Sequence, residues 1–242
     1  MSDKPRRAAK PPPVVLHDTS DTIERLRAIT ERVSIDLAFL HDDQSRAHVA
    51  EATAGMARVL DIGAGMRGRL EGHAGAESLD LNDIEDGENL TRPDMLGDVC
   101  QPFPAWMAER YDAVIALAIL EHVYDPSAAV ANFRFALRPG GRLFLYVPWM
   151  WRYHAPRSLI FQDYQRLSRD GLAYLLRDFE TVRLYPIRGK WSAMANMMKW
   201  WKPTVERRLG GRINRWLDRR TSAFRNTTQA SGFFVEAERP ND

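Results

Sequence analysis

The sequence predicts an α/β fold, a mostly parallel β-sheet covered on both faces by helices, and three stretches carry that prediction. Val59, Leu60 and Ile62 form a short apolar run of strand character that breaks directly into Gly63 and Gly65, as where a strand ends in a tight turn. Ala113 to Leu117 is a continuous apolar run, of the kind buried on both faces of a parallel sheet. Tyr111 to Val147 reads in order as strand, helix, turn and strand, the pattern of a right-handed βαβ crossover.

Size and composition set the bounds. A chain of 242 residues, 45% of them hydrophobic, can fill the core of one large domain with additions. Cys100 is the single cysteine, which excludes an intrachain disulfide and a cysteine-rich metal site and fits a reducing compartment. There is no apolar run of about 18 residues and no hydrophobic signal region near the start. The expectation is a soluble, cytoplasmic protein. The net charge of +2 selects no partner by itself.

Residues 1–17 hold Lys4, Arg6, Arg7 and Lys10 among prolines, and a disordered basic tail is expected there. Residues 18–54 are expected to form cap helices. Thr19, Ser20 or Asp21 can cap, and Ile23, Leu26, Ile29 or Thr30, Val33 and Leu37 repeat at intervals of three and four. After the glycine turn there is room for a helical turn or two before a strand at Ser78–Leu81. Residues 82–97 show no helical pattern, and a third strand is expected over Met95–Val99. Asp125 followed by Pro126 is a cap with proline at the first helical position, and Ala129, Val130, Phe133 and Leu137 supply the inward face. Arg138-Pro139-Gly140-Gly141 is expected to stop that helix in a turn before a strand at Leu143–Val147. A helix over Ser168–Phe179, a strand over Val182–Ile187 and a final strand over Gly232–Ala237 complete the pattern.

The glycine turn admits a nucleotide-like ligand, because a residue without a Cβ tolerates positive φ and lets the backbone come close. Gly63-x-Gly65-x-x-Gly68 also spells the dinucleotide fingerprint. Asp80 stands where an acid accepts hydrogen bonds from both ribose hydroxyls. An NAD-binding fold explains these features alone.

Further motifs follow in order: Asp61-Ile-Gly63-Ala-Gly65, Tyr111-Asp112-Ala-Val114, Leu120-Glu121-His122-Val123-x-Asp125-Pro126 and Leu137-Arg-Pro139-Gly140-Gly141. Together they resemble a class I S-adenosylmethionine-dependent methyltransferase, most closely the small-molecule group often labelled methyltransferase type 11. The NAD reading leaves the Leu-Glu-His-Val and Pro-Gly-Gly segments unaccounted for. The resemblance implies a Rossmann-like seven-stranded methyltransferase sheet, mostly parallel with an antiparallel last strand and helices on both faces. The core would cover 55–189 and 227–240, with S-adenosyl-L-methionine as cofactor. It further implies that Asp61 faces the amino group of the cofactor's methionine part, with backbone access through Gly63, Ala64 and Gly65. Asp80 would hold the ribose hydroxyls beside Leu81, Asp98 would accept from the adenine amino group with Val99 adjoining, and Leu117 would lie under the sulfonium. Arg67 departs from the pattern, standing where many relatives place a third glycine.

A sulfonium methyl is already electrophilic, so the protein has to align a nucleophile with it and exclude water. A base is needed only where the nucleophile carries a proton. His122 and His154 are the candidate bases, each equally able to serve as a loop-orienting histidine. Glu121, His122, His154 and Asp163 show no metal-ligand spacing, and no metal is expected. Asp163-Tyr164-x-Arg166 resembles a segment of relatives associated with polysaccharide and glycolipid loci. Trp149, Tyr153, Tyr164 and Arg166 are therefore candidate acceptor contacts, with a packed aromatic lid as the other reading.

Residues 190–226 form an insertion between the last two strands. Over 190–225, ten Lys or Arg face Glu206 and Asp218, a net of +8. Trp191, Met194, Met197, Met198 and Trp201 share one helical face, and after Pro203 Val205, Leu209, Ile213, Trp216 and Leu217 share another. Such helices fit contact with an anionic membrane surface or, equally, a buried lid or dimer stripe. The acceptor is expected to be a small molecule or lipid- or sugar-linked, methylated at oxygen. Nucleic acid is not expected, since Val147-Pro148-Trp149 stands where a base-holding Asn/Asp-Pro-Pro-Tyr tetrad would. The rival reading is a non-catalytic binding or scaffold protein that keeps the fold.

Overall fold

A computed structural model of the chain describes residues 20–37, 42–68, 75–83, 85, 90–158, 161–197 and 211–241. The tail expected over 1–17 lies outside these residues. In chain order the elements are α1 (Ser20–Glu31), β1 (Ser34–Ile35), α2 (Asp42–Thr53), β2 (Val59–Ile62), α3 (Ala64–Arg67), β3 (Glu77–Asp80), β4 (Met95–Leu96), β5 (Tyr111–Leu117), α4 (Pro126–Ala136), β6 (Leu137–Pro148), α5 (Arg169–Leu175), β7 (Thr181–Ile187), α6 (Lys190–Met197), α7 (Gly211–Arg220), α8 (Ala223–Thr228) and β8 (Gly232–Glu238).

The strands form one sheet in the order β1-β7-β8-β6-β5-β2-β3-β4. β8 runs antiparallel to both β6 and β7, and the other pairings are parallel. From β2 the chain moves out to β3 and β4, then returns to the other side of β2 as β5. The strand order therefore reverses at the β2/β5 seam, which is where open α/β sheets form a ligand crevice at their carboxyl ends.

The apolar run in β5 is buried on both faces, as its composition demands. Val114 and Ala116 join the core containing Phe133 of α4 and Leu172 of α5, while Ala113, Ile115 and Leu117 join a second core with Val49 of α2. α4 starts as its sequence dictates: the Asp125 side chain accepts from the Ala128 N–H at 3.0 Å, and Pro126 sits in the first turn. Ala129, Val130, Phe133 and Ala136 form its buried face.

The structure corrects four local expectations. The sheet has eight strands rather than seven, because β1 adds an edge parallel to β7. The helical repeat through Val33 and Leu37 stops at Glu31, and α1 lies on the surface with no buried residue, Ile23 and Leu26 included. β4 is two residues long because Asp98 draws the chain into a tight turn by accepting from the Cys100 N–H at 2.9 Å. The Pro-Gly-Gly turn lies within β6. Leu137 already pairs with Tyr111, the next pair is Arg142 with Ala113, and residues 138–141 bulge out between them. Gly140 there has φ +69, a left-handed conformation suited to glycine.

Among the described residues of the insertion, the larger apolar side chains Trp191, Met194, Met197, Ile213 and Trp216 face outward, while Ala193 and Ala195 are buried. The Asp218 carboxylate of α7 accepts from Gly189 N (3.2 Å), Trp191 N (2.8 Å) and Ser192 Oγ (2.6 Å), capping the start of α6 from the neighbouring helix. Asn214 and Asp218 are thus the buried positions of α7, while Ile213 and Trp216 are exposed. Trp191, Met194 and Met197 of α6 are exposed as well. Met198, Trp201, Val205 and Leu209 lie outside the described residues.

Candidate active site

At the carboxyl ends of β2, β3 and β5 lies a cavity of about 240 Å³. Ile62, Gly63, Asp80, Leu81 and Asn82 line one side, Asp98, Val99 and Cys100 another, and Leu117, Ala118, Ile119, His122, Val123, Tyr124 and Phe161 the rest. Gly63 has φ +71, and its N–H donates to the Leu79 carbonyl at 2.9 Å. A Cβ there would stand 2.1 Å from Ile119 Cδ1. The backbone conformation favours glycine, and a side chain here would have to push the end of Ile119 aside.

Ala118, directly after β5, has φ +58. A non-glycine residue in the left-handed region is uncommon and costs about 1 kcal/mol or more. Its N–H is held by the Tyr146 carbonyl at 2.9 Å. This kink lays Ile119 over Gly63 and starts the one-turn 3-10 helix Leu120–His122, which carries Glu121 and His122.

Asp80 ends β3, with one carboxylate oxygen 3.3 Å from the Asn82 N–H. Asp98 accepts from the Cys100 N–H and, at 2.6 Å, from the Tyr124 hydroxyl. Burial pushes the Asp98 carboxyl up, but these hydrogen bonds outweigh it and hold the group below its usual range. The same carboxylate raises the Tyr124 phenol. Asp98 is thus a fixed anion on the cavity wall.

Behind the cavity stands a polar cluster. His122 Nδ1 is 2.5 Å from the Gln162 carbonyl, which can only accept, so Nδ1 carries a proton. His154 Nε2 is 3.5 Å and His122 Nε2 3.7 Å from Glu121 Oε1. The two rings meet edge to face with centroids 4.8 Å apart. Glu121 is 2% exposed, and neither of its carboxylate oxygens has a hydrogen-bond partner. The neighbouring Glu121 pushes the His154 imidazole above its ordinary value, against desolvation.

The Asp-Tyr-x-Arg segment builds this cluster. Arg166 clasps Asp163 through both guanidinium Nη atoms, and donates to the Arg152 carbonyl at 3.0 Å. Asp163 in turn accepts from the His154 N–H at 2.9 Å. Burial raises the Asp163 carboxyl, but Arg166 and the His154 N–H bring it below its usual range. Tyr164 N donates to the Glu121 carbonyl at 2.8 Å, and the Gln165 amide to the Leu120 and Val123 carbonyls. The loop after β6 is thereby fastened to the turn after β5.

Among the sequence-derived site residues, Gly63, Asp80, Leu81, Asp98, Val99, Leu117 and His122 meet at the cavity. Asp61, 2% exposed, and Ala64 and Gly65 adjoin Gly63 without lining it. His154 and Arg166 stand behind the wall. Trp149 turns its indole N–H to the Thr228 carbonyl at 2.9 Å, and Tyr153 and Tyr164 are exposed. Ala118, Ile119, Tyr124 and Phe161 escaped the sequence reading. Tyr124 adjoins the Leu-Glu-His-Val motif and had a positional signal; nothing local marks Ala118 or Phe161.

The sequence model of a family described as "Methyltransferase domain" matches residues 17–188. The chain is 32% identical over 113 residues to a ubiquinone biosynthesis O-methyltransferase of Saccharophagus degradans, a match covering 41% of this chain and 44% of that protein. It thus spans less than half the length of that curated relative. Among solved structures, it is similar to a methyltransferase from Archaeoglobus fulgidus (15% identity, 80% and 94% of the two chains, TM-score 0.49). It is also similar to the phosphoethanolamine N-methyltransferase 2 of Haemonchus contortus in complex with S-adenosyl-L-methionine (14%, 82% and 53%, TM-score 0.47).

Proposed function

The chain belongs to the methyltransferase-domain family, matched over residues 17–188, whose methyl donor is S-adenosyl-L-methionine, and we propose that it methylates an oxygen of a small-molecule or lipid- or sugar-linked acceptor. The cavity at the β2/β5 reversal carries this reading, because its residues fit the donor on their own chemistry. Two carboxylates, Asp80 and Asp98, stand on different sides of the cavity, and Ile62, Val99, Leu117 and Ile119 give apolar walls for an adenine. When bound, the donor supplies a methyl group already activated by the positive sulfur. The protein then has to bind, align and keep water out. An acceptor hydroxyl must also lose its proton, and the imidazole of His122, which lines the cavity, can accept one. The likeness to the O-methyltransferase of Saccharophagus degradans supports oxygen as the accepting atom.

Titration calorimetry with S-adenosyl-L-methionine and its demethylated product tests the reading. Binding near micromolar strength, lost in Asp80→Ala, is expected. Absence of heat with either ligand for well-folded protein would favour the non-catalytic scaffold reading instead.

The insertion supports the lipid-linked version of the acceptor. Trp191, Met194, Met197, Ile213 and Trp216 are exposed beside the exposed Arg212, Arg215, Arg219 and Arg220, and Arg220 stacks on the Trp216 ring at 4.0 Å. Aromatic and thioether side chains among arginines are what an anionic lipid surface takes up. No helix among the described residues is long and apolar enough to cross a membrane, so the contact proposed is peripheral.

A further inference from the structure

Among the described residues, Glu121 is the carboxylate left with both oxygens buried and unbonded. Burying a carboxylate in that state is costly unless a proton or a cation compensates it. The atoms facing it identify the compensation. His122 gives its Nδ1 proton to the Gln162 carbonyl, and His154 Nδ1 faces two acceptors, the Arg152 carbonyl at 3.3 Å and Asp163 Oδ2 at 3.2 Å, with Arg166 Nη2 at 3.5 Å. With a proton on each Nδ1, each neutral imidazole keeps a lone pair on Nε2, and these two atoms stand 3.7 Å (His122) and 3.5 Å (His154) from Glu121 Oε1. A proton or a metal cation between the three groups compensates the carboxylate, and the three ligand atoms stand close enough to share one ion.

We propose that Glu121, His122 and His154 bind one divalent first-row transition cation, of the zinc type, at the edge of the cofactor cavity. Their three ligand atoms all lie within 4.8 Å of one another, two of the separations being 3.5 and 3.7 Å. Ligands about 2.0–2.1 Å from a tetrahedral ion stand roughly 3.3–3.4 Å apart. Small side-chain rotations close the difference. Two imidazoles and a carboxylate suit zinc or iron, whereas magnesium and calcium require oxygen ligands. The partners behind the ligands are those of a metal site: each histidine has its far nitrogen against a carbonyl or carboxylate, which fixes the ring and its tautomer. Glu121 and His154 lie behind the wall, while His122 also lines the cavity. A fourth position is thus available to water or to an acceptor oxygen. His122 then acts as a ligand rather than as a free base, and a hydroxyl bound to the ion loses its proton to solvent more readily. This last role rests on the methyltransferase reading; the binding of the ion does not.

Chelator-treated full-length protein, dialysed separately against Zn²⁺ and Mg²⁺ and analysed for metal, gives the test. One zinc per chain and no magnesium are expected. Co²⁺ loading should give the visible absorption of a nitrogen- and oxygen-ligated ion, a readout that needs no variant. His154→Ala and Glu121→Gln, each checked for folding by circular dichroism, should weaken zinc binding by more than the roughly 10–100-fold that loss of an outer partner costs. Folded wild-type protein that retains no zinc, or variants that bind it as tightly as wild type, would overturn the site. Calorimetry with S-adenosyl-L-methionine on the same samples separates the two readings. Zinc without cofactor binding removes the methyltransferase proposal alone, and cofactor binding without zinc removes the ion site alone.

Discussion

Ile119 lies across Gly63 so closely that a methyl group added at position 63 would meet its Cδ1 at 2.1 Å. Gly63→Ala must therefore displace the end of Ile119 and force alanine to φ +71, at a cost of about 1–3 kcal/mol. The expected result is a melting temperature lowered by roughly 2–10 °C together with weakened binding of S-adenosyl-L-methionine. Ile119→Ala in the same background should recover part of both. Equal binding by Gly63→Ala and wild type would show that the turn is not part of the cofactor site.

Tyr124 holds Asp98 by a 2.6 Å hydrogen bond at the cavity wall. Tyr124→Phe removes that donor without changing the ring. The expected result is a rise of about 3- to 10-fold in the cofactor Kd by calorimetry. An unchanged Kd would remove Asp98 from the binding surface.

Glu236 of β8 is nearly buried beside Arg142 and His48. Burial pushes its carboxyl up, but Arg142 and then His48 bring it below the ordinary 4.5. A carboxyl depressed in the folded state stabilises the fold fully above its unfolded pKa and loses that contribution as pH falls through the lower folded value. Glu236→Gln should be less stable than wild type at pH 7 by roughly 1–3 kcal/mol. Urea unfolding at successive pH values should show the gap closing below about pH 4.5. A gap independent of pH would mean that the carboxylate's charge is not what stabilises.

The exposed residues of α7 predict flotation with vesicles rich in phosphatidylserine and not with neutral ones. Arg212→Glu and Arg215→Glu together, and Trp216→Ala separately, should each reduce it. Flotation unaffected by charge reversal would remove the membrane contact from the proposal.

The order of elements was legible in the residues because its signals are local. A strand that breaks into Gly63, a helix that opens on Asp125-Pro126 and an apolar run at Ala113–Leu117 each depend on a few neighbouring side chains, and each stands where the sequence places it. The misreadings came where a distant partner outweighed the local pattern. α1 keeps its apolar repeat but buries none of its residues, residues 34–35 pair with β7, and α7 buries Asp218 because the start of α6 needs an acceptor. Of the candidate site, Gly63, Asp80, Asp98 and His122 could be named from motifs. Folding alone decided that His154, from the loop after β6, would meet Glu121 from the turn after β5. No spacing along the chain encodes that meeting. It depends on β5 and β6 lying side by side, on the left-handed turn at Ala118, and on the Arg166–Asp163 clasp that holds the loop in place.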